Sequence, residues 1–308
     1  MSRIERYQES INNFIKTKDM FTQDIKEILL RRDHLCGIIF STLLNYNSKK
    51  KNFKVHGHYM VCAIDLLQEL IEILDIKKSI EHNKFINILF MITQLINLNL
   101  ENLKVPQKHE DMLNKIIFFI QSYINTKLLE ITKLYEIKTN KKVLKTDILS
   151  ISYLKQESIN KYKTLYKVEH DKIMEYTKNT YSNIGDIVFV IGWALGGGDR
   201  KQELLKNLQT VGDNFGLLYK ICRDFDKLES DINQTTKYNM NFIINDGVQE
   251  TFILFMETKT QLIEQCLTLN IYTHTLKEVM DELEKSVDMC LSSSNIDLKS
   301  NYSSVSQN

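Results

Sequence analysis

The sequence predicts an all-α chain of about ten or more helices. Three observations carry this expectation. The 308 residues include a single proline, Pro106, whereas proline interrupts helix interiors and is used freely in the loops of β-rich proteins. Apolar residues recur at helical spacing almost throughout, and no alternating run long enough for a strand appears.

The elements follow in order. Ile11, Phe14 and Ile15 mark the first helical face, and Ile25, Ile28 and Leu29 the second. Tyr59, Ala63, Leu66, Leu67, Leu70 and Ile71 mark the next. On that segment Asp65, Glu69 and Glu72 recur at helical spacing and read as the polar stripe of an amphipathic helix. Further helices are expected over 83–102, 108–136, 146–166, 168–196, 199–229, 245–268 and 272–291. Asp199 follows three glycines and precedes RKQELLKNL, which suits a helix N-cap. Connections are expected at 48–54 (SKKKNFK), 137–146 and 229–241, the lysine-rich ones as solvated loops. No break in composition divides the chain, so 1–290 is expected to form one helical domain. Residues 291–308, rich in Ser and Asn, are expected to be a disordered tail.

Composition excludes several classes of function. Lys and Arg number 40 against 39 Asp and Glu, a net charge of +1. That balance gives no strongly basic face for nucleic acid. Five scattered cysteines at 36, 62, 222, 266 and 290, with no CxxC pair, read as reduced and buried in a cytoplasmic setting. The opening MSRIERYQESI is polar and charged, which argues against a signal peptide, and no run of 18 apolar residues suits a membrane span. The longest apolar stretch, IGDIVFVIGWALGGG at 184–198, contains Asp186 and glycines and reads as a buried core helix. GWALGGGD lacks the GK[ST] of a phosphate-binding loop, and no G-x-S-x-G or H-E-x-x-H occurs.

One region has a distinctive rhythm. From 176 to 231 the chain reads YTKNTYSNIGDIVFVIGWALGGGDRKQELLKNLQTVGDNFGLLYKICRDFDKLESD. Lys178 is followed by an apolar helix ending in Gly196 and Gly197, then by Gly212 and Gly216, Tyr219-Lys220, Arg223 to Lys227, and Ser230-Asp231. This resembles the second half of the trans-isoprenyl diphosphate synthases, the polyprenyl synthetase family. The segment after it, to Cys290, has a cadence similar to divergent members carried by giant DNA viruses, and the abundance of Asn, Ile and Lys agrees with an AT-rich coding sequence.

The resemblance implies an isoprenoid-synthase-like bundle around a central cavity. It also implies two aspartate-rich motifs on facing helices that hold Mg²⁺ against the diphosphate of an allylic substrate. Hard divalent ions on carboxylates offset the charge of a leaving diphosphate. Carried over residue by residue, the second motif retains Asp224, while Arg223 and Lys227 stand where the other two acids belong. Lys220 lies one helical turn before Asp224, the spacing of an ion pair, so RDFDK is also legible as a solvated or ion-paired helix face. By spacing, the first motif falls in 91–105, where Leu98, Asn99 and Asn102 take the acidic positions. Asn99 and Asn102 are thus the residues of a degenerate first motif, with neutral oxygens in place of charged ones. The diphosphate-binding candidates are Lys54 and His58 in FKVHGHYM, Lys178, Lys220 and Lys237.

The function expected from this pattern is a polyprenyl synthetase-family protein of isoprenoid biosynthesis that has lost catalysis, a pseudoenzyme or non-catalytic subunit. The alternative is an active, divergent trans-prenyltransferase that condenses isopentenyl diphosphate with an allylic diphosphate and requires Mg²⁺. No catalytic residue is assigned. Prenyl diphosphates are the expected ligands and a homodimer or heteromeric partner the expected assembly. The location is the cytoplasm, that of the host if the chain is viral.

Overall fold

Ser2 begins the first helix with a reciprocal cap: its side chain accepts from Glu5 N, and the Glu5 carboxylate accepts from Ser2 N. The computed structural model describes residues 1–51, 57–75, 82–101, 110–131, 166–233 and 238–293. Helix α1 spans Arg3–Thr17, α2 Gln23–Leu30, α3 Leu35–Lys51, α4 His58–Asp75, α5 His82–Glu101 and α6 Glu110–Ile131. Helix α7 opens at His170–Thr177 and runs through two π-helical stretches, Lys178–Ser182 and Ile187–Ile191. Short α-helical pieces, Asn183–Asp186 and Gly192–Leu195, lie between and after them. Then come α8 (Gln202–Ile232), α9 (Phe242–Asp246), α10 (Val248–Thr268) and α11 (His274–Ser293). Among the described residues there is no strand, only an isolated bridge between Tyr166 and Tyr238.

The 31-residue α8 is the axis of the bundle, packing against α7, α10 and α11. The apolar stretch of α7 is buried along its length, as its composition requires, and lies against α8 and α3. Glycine sets the α7–α8 contact. A Cβ on Gly212 would fall 2.7 Å from Asp186 N, and one on Gly216 would strike the backbone of Tyr181 and Ser182. The two backbones approach more closely than any side chain permits.

Several expectations need adjusting. Helix α3 continues through residue 51, into the segment expected as a lysine-rich loop, and α8 runs to Ile232 before the next connection. Asp199 is not an N-cap. The helix starts at Gln202 after Lys201, with no side-chain cap, and the Asp199 carbonyl accepts instead from Trp193 Nε1 at 2.9 Å. Helix α11 takes in residues 291–293 of the expected tail. Residues 294–308 and the helix expected at 146–166 lie outside the described residues, apart from Tyr166. The supposed polar stripe of α4 is no solvated face either, because Asp65 and Glu69 are buried. Helix α4 is apolar nearly all round, so its acids point into protein and need partners there.

Candidate functional site

The segment RDFDK straddles two faces of α8. Tyr219, Arg223 and Lys227 recur every four residues on one face; Lys220, Asp224 and Asp231 lie on the next. The helix therefore sends its charges to two different places.

The Lys220–Asp224 face is sealed. Lys220 Nζ forms a short ion pair with Asp224 Oδ1 and donates to the Met240 carbonyl at 3.0 Å. The other oxygen of Asp224 accepts from Phe242 N at 2.8 Å, at the start of α9. Asn241 completes the seal: its Nδ2 donates to Asp231 Oδ2 and to the Asp224 carbonyl, both at 2.9 Å. Asn245 Nδ2 donates to the carbonyls of Asn239 and Asn241, each at 2.7 Å. Burial pushes the Asp224 carboxyl up to about 7, against the opposing pull of Lys220 and the Phe242 amide. Both oxygens of Asp224 are committed, so it serves as a strut under the 239–245 segment.

The Arg223 face is open. Arg223, Arg31, Arg32, Asp33, Glu72 and Tyr219 line a pocket of about 270 Å³ between the end of α2, α4 and α8. One oxygen of Glu72, Oε1, gathers three cations: Arg32 Nη1 at 2.8 Å, Lys227 Nζ at 3.0 Å and Arg223 Nη2 at 3.2 Å. One turn back on α4, Glu69 pairs with Arg31 Nη2 at 2.5 Å, with Lys84 Nζ at 3.5 Å, and closely with Arg32. Burial pushes the Glu72 carboxyl up, but Lys227, Arg32 and Arg223 outweigh it and hold it at about 2. The Arg32 side chain is 6% exposed, and its Nε has no hydrogen-bond partner among the described residues.

Behind Asp33 lies a buried dyad. His34 Nδ1 is 2.6 Å from Asp65 Oδ2, and its Nε2 is 3.2 Å from Asn12 Oδ1. His34 adopts a left-handed backbone with φ of 59°, strained for a residue with a Cβ. The conformation turns the chain from α2 into α3 and leaves Arg31 and Arg32 over α4.

The sequence-derived candidates are scattered. Lys220 and Asp224 meet, and they consume each other. Lys178 is exposed on the first π-helical stretch. Its charge acts on Asp213, ten residues before Arg223 on α8, or about 15 Å along the axis. His58 stacks on Phe14 and lies 3.4 Å from Ser10 Oγ, against α1. Asn99 is fully buried on α5, and neither its Oδ1 nor its Nδ2 has a partner among the described residues. Lys54, Asn102 and Lys237 lie outside the described residues. Sequence reading missed Arg31 and Arg32, and took Glu69 and Glu72 for a polar stripe when they are the partners of these cations. The signal available was adjacent arginines ending a short helix, together with carboxylates at i and i+3 inside an otherwise apolar one.

No protein-family model and no curated protein sequence matches the chain. Solved structures do. A putative farnesyl-diphosphate synthase from Marinomonas sp. MED121 superposes with a TM-score of 0.58 at 10% identity, covering 91% of this chain and 97% of that one. A Helicobacter pylori geranyltransferase, solved with magnesium and isoprenyl diphosphate, gives 0.58 at 13% identity over 94% and 99% of the two chains. The fold is the isoprenoid-synthase fold.

Whether the isoprenoid-synthase fold holds a metal in this chain depends on its donors. Among the described residues, no group of three or more His, Cys, Asp or Glu side chains is placed to hold a metal ion. Arg223 and Lys227, where the resemblance would put two metal-binding acids, are cations that turn toward Glu72. Asp224 has no oxygen to spare. Asn99 presents uncharged donors. Hard divalent cations want several oxygen ligands, charged ones above all. The described residues do not fit magnesium.

Proposed function

We propose that this chain is a polyprenyl synthetase-family protein of isoprenoid metabolism that has given up metal-dependent condensation and acts as a diphosphate-binding, non-catalytic subunit. The observation that carries the reading is the bridge from Arg223 and Lys227 on α8 to Glu72 on α4. Magnesium held on α8 needs carboxylates there. Here positions 223 and 227 are cationic and are paired directly with Glu72. A second subunit has a surface to meet. Ile86 and Phe90 on α5, one turn apart, are exposed, as are Phe118 and Leu129, three turns apart on α6. The chain length of any prenyl ligand is left unassigned.

The test is turnover. Purified protein with Mg²⁺, isopentenyl diphosphate and each allylic diphosphate from C5 to C20 should give no elongated product. Elongation by the protein alone would overturn the proposal and establish the active, divergent prenyltransferase in its place.

A further inference from the structure

The three cations around Glu72 Oε1 form a cradle for an oxyanion, and an oxyanion already sits in it. Their donor distances, 2.8 to 3.2 Å, are those of charge-assisted hydrogen bonds to one oxygen. Three features show that the cradle exceeds what Glu72 needs. First, among the described residues five cations (Arg31, Arg32, Lys84, Arg223 and Lys227) crowd around the carboxylates Asp33, Glu69, Glu72 and Asp226, with Asp231 the next acid acting on Lys227. Second, Arg32 Nε is buried without a partner among the described residues, in a side chain that lines the pocket. A buried unmatched guanidinium donor carries a desolvation cost that a ligand oxygen would remove. Third, the pocket of about 270 Å³ is polar and opens beside Tyr219 and three guanidinium groups, whose planar forks match phosphate oxygens in pairs.

We infer that this pocket is a metal-independent site for a compact multivalent phosphate. Phosphate oxygens would take over the place on Arg32, Arg223 and Lys227 that Glu72 Oε1 holds, and Arg31 would join them. Guanidinium groups supplied by the chain replace the bridging cation, and Glu72 acts as a resident anion that the ligand displaces. Asp33 and Glu69 set the limit on charge: a monovalent anion gains too little to displace Glu72, whereas a diphosphate can engage several donors at once. The anion site stands without the proposed function; the isoprenoid end of its ligand rests on that reading.

Calorimetry of the full chain with inorganic diphosphate in EDTA tests the site. Saturable binding is expected, unchanged when Mg²⁺ replaces EDTA. Arg223→Ala should weaken it about 10- to 100-fold, the loss for one charged hydrogen-bond donor, and Glu72→Gln should tighten it. Where circular dichroism shows Arg223→Ala unfolded, Arg223→Lys keeps the charge and removes the fork, and it too should bind more weakly. Binding that requires Mg²⁺, no binding in either buffer, or full affinity in both Arg223 variants overturns the inference. Geranyl diphosphate titrated in EDTA separates the two proposals. Tighter binding than inorganic diphosphate supports the isoprenoid reading. Equal binding leaves the phosphate site standing and removes the prenyl group as its ligand.

Discussion

Asp224 and Glu72 are both carboxylates beside α8, both largely buried and both paired with cations, yet the protein moves them in opposite directions. Asp224 is raised to about 7 and Glu72 lowered to about 2. The difference lies in how much cation surrounds each one. Asp224 has one lysine and one backbone amide to set against complete burial; Glu72 keeps 20% of its side-chain surface and has two arginines and a lysine. A carboxylate sealed with one partner is a structural strut. One surrounded by three cations at the mouth of a pocket marks a place where an anion is wanted.

The largest expected break in that comparison comes at the sealed site. Asp224→Ala leaves the Lys220 ammonium buried without its partner and the Phe242 amide without an acceptor. The loss should be about 3–5 kcal/mol of unfolding free energy, read by urea denaturation. Glu72→Ala should cost less, because Arg32 keeps Glu69 and the half-buried Arg223 and Lys227 can reach water.

The pH profile separates the two next. Glu72 is lowered on folding, so its contribution is present above the unfolded value of 4.5 and is lost as pH falls toward about 2. The span is worth about 3 kcal/mol. Asp224 is raised, so its contribution is full below 3.8 and is lost as pH rises through about 7. Thermal melts across pH 2–8 should therefore show an acid limb that Glu72→Gln flattens and a limb between about 4 and 7 that Asp224→Asn flattens. The same limb lost in both variants would mean that the two sites are not independent.

The smallest effect should be at Arg31. Its side chain is 57% exposed, and exposed pairs contribute about 0–1 kcal/mol. Arg31→Ala should leave the denaturation midpoint nearly unchanged while weakening diphosphate binding. A large stability loss there would place Arg31 in the core network with Arg32.

The fold was legible in the sequence because it depends on repetition. The lone proline, the 3.6-residue spacing and the glycines at 212 and 216 each report on backbone packing, and local pattern encodes backbone packing. The bases at 223 and 227 were legible directly, since a charge can be read wherever it stands in the sequence. Their partners were not. Glu72 lies more than a hundred residues from Arg223, and nothing in AIDLLQELIEILD says whether its acids face water or arginine. Asp224 was misleading in the same way. Its spacing from Lys220 predicts an ion pair, but not that Asn241 and Phe242 close over it.

The contact between α7 and α8 carries a consequence for how such a chain can change. At Gly212 and Gly216 the helices meet chiefly through main chain, with the Asp186 side chain also against Gly212, so their spacing is set mostly by atoms that every amino acid shares. Arg223 and Lys227 lie two to four turns further along α8. Swapping acids for bases there alters the electrostatics of the cleft without asking the scaffold to move. Geometry and charge are thus held by separate residues on one helix, and chemistry can be rewritten while the architecture stays in place.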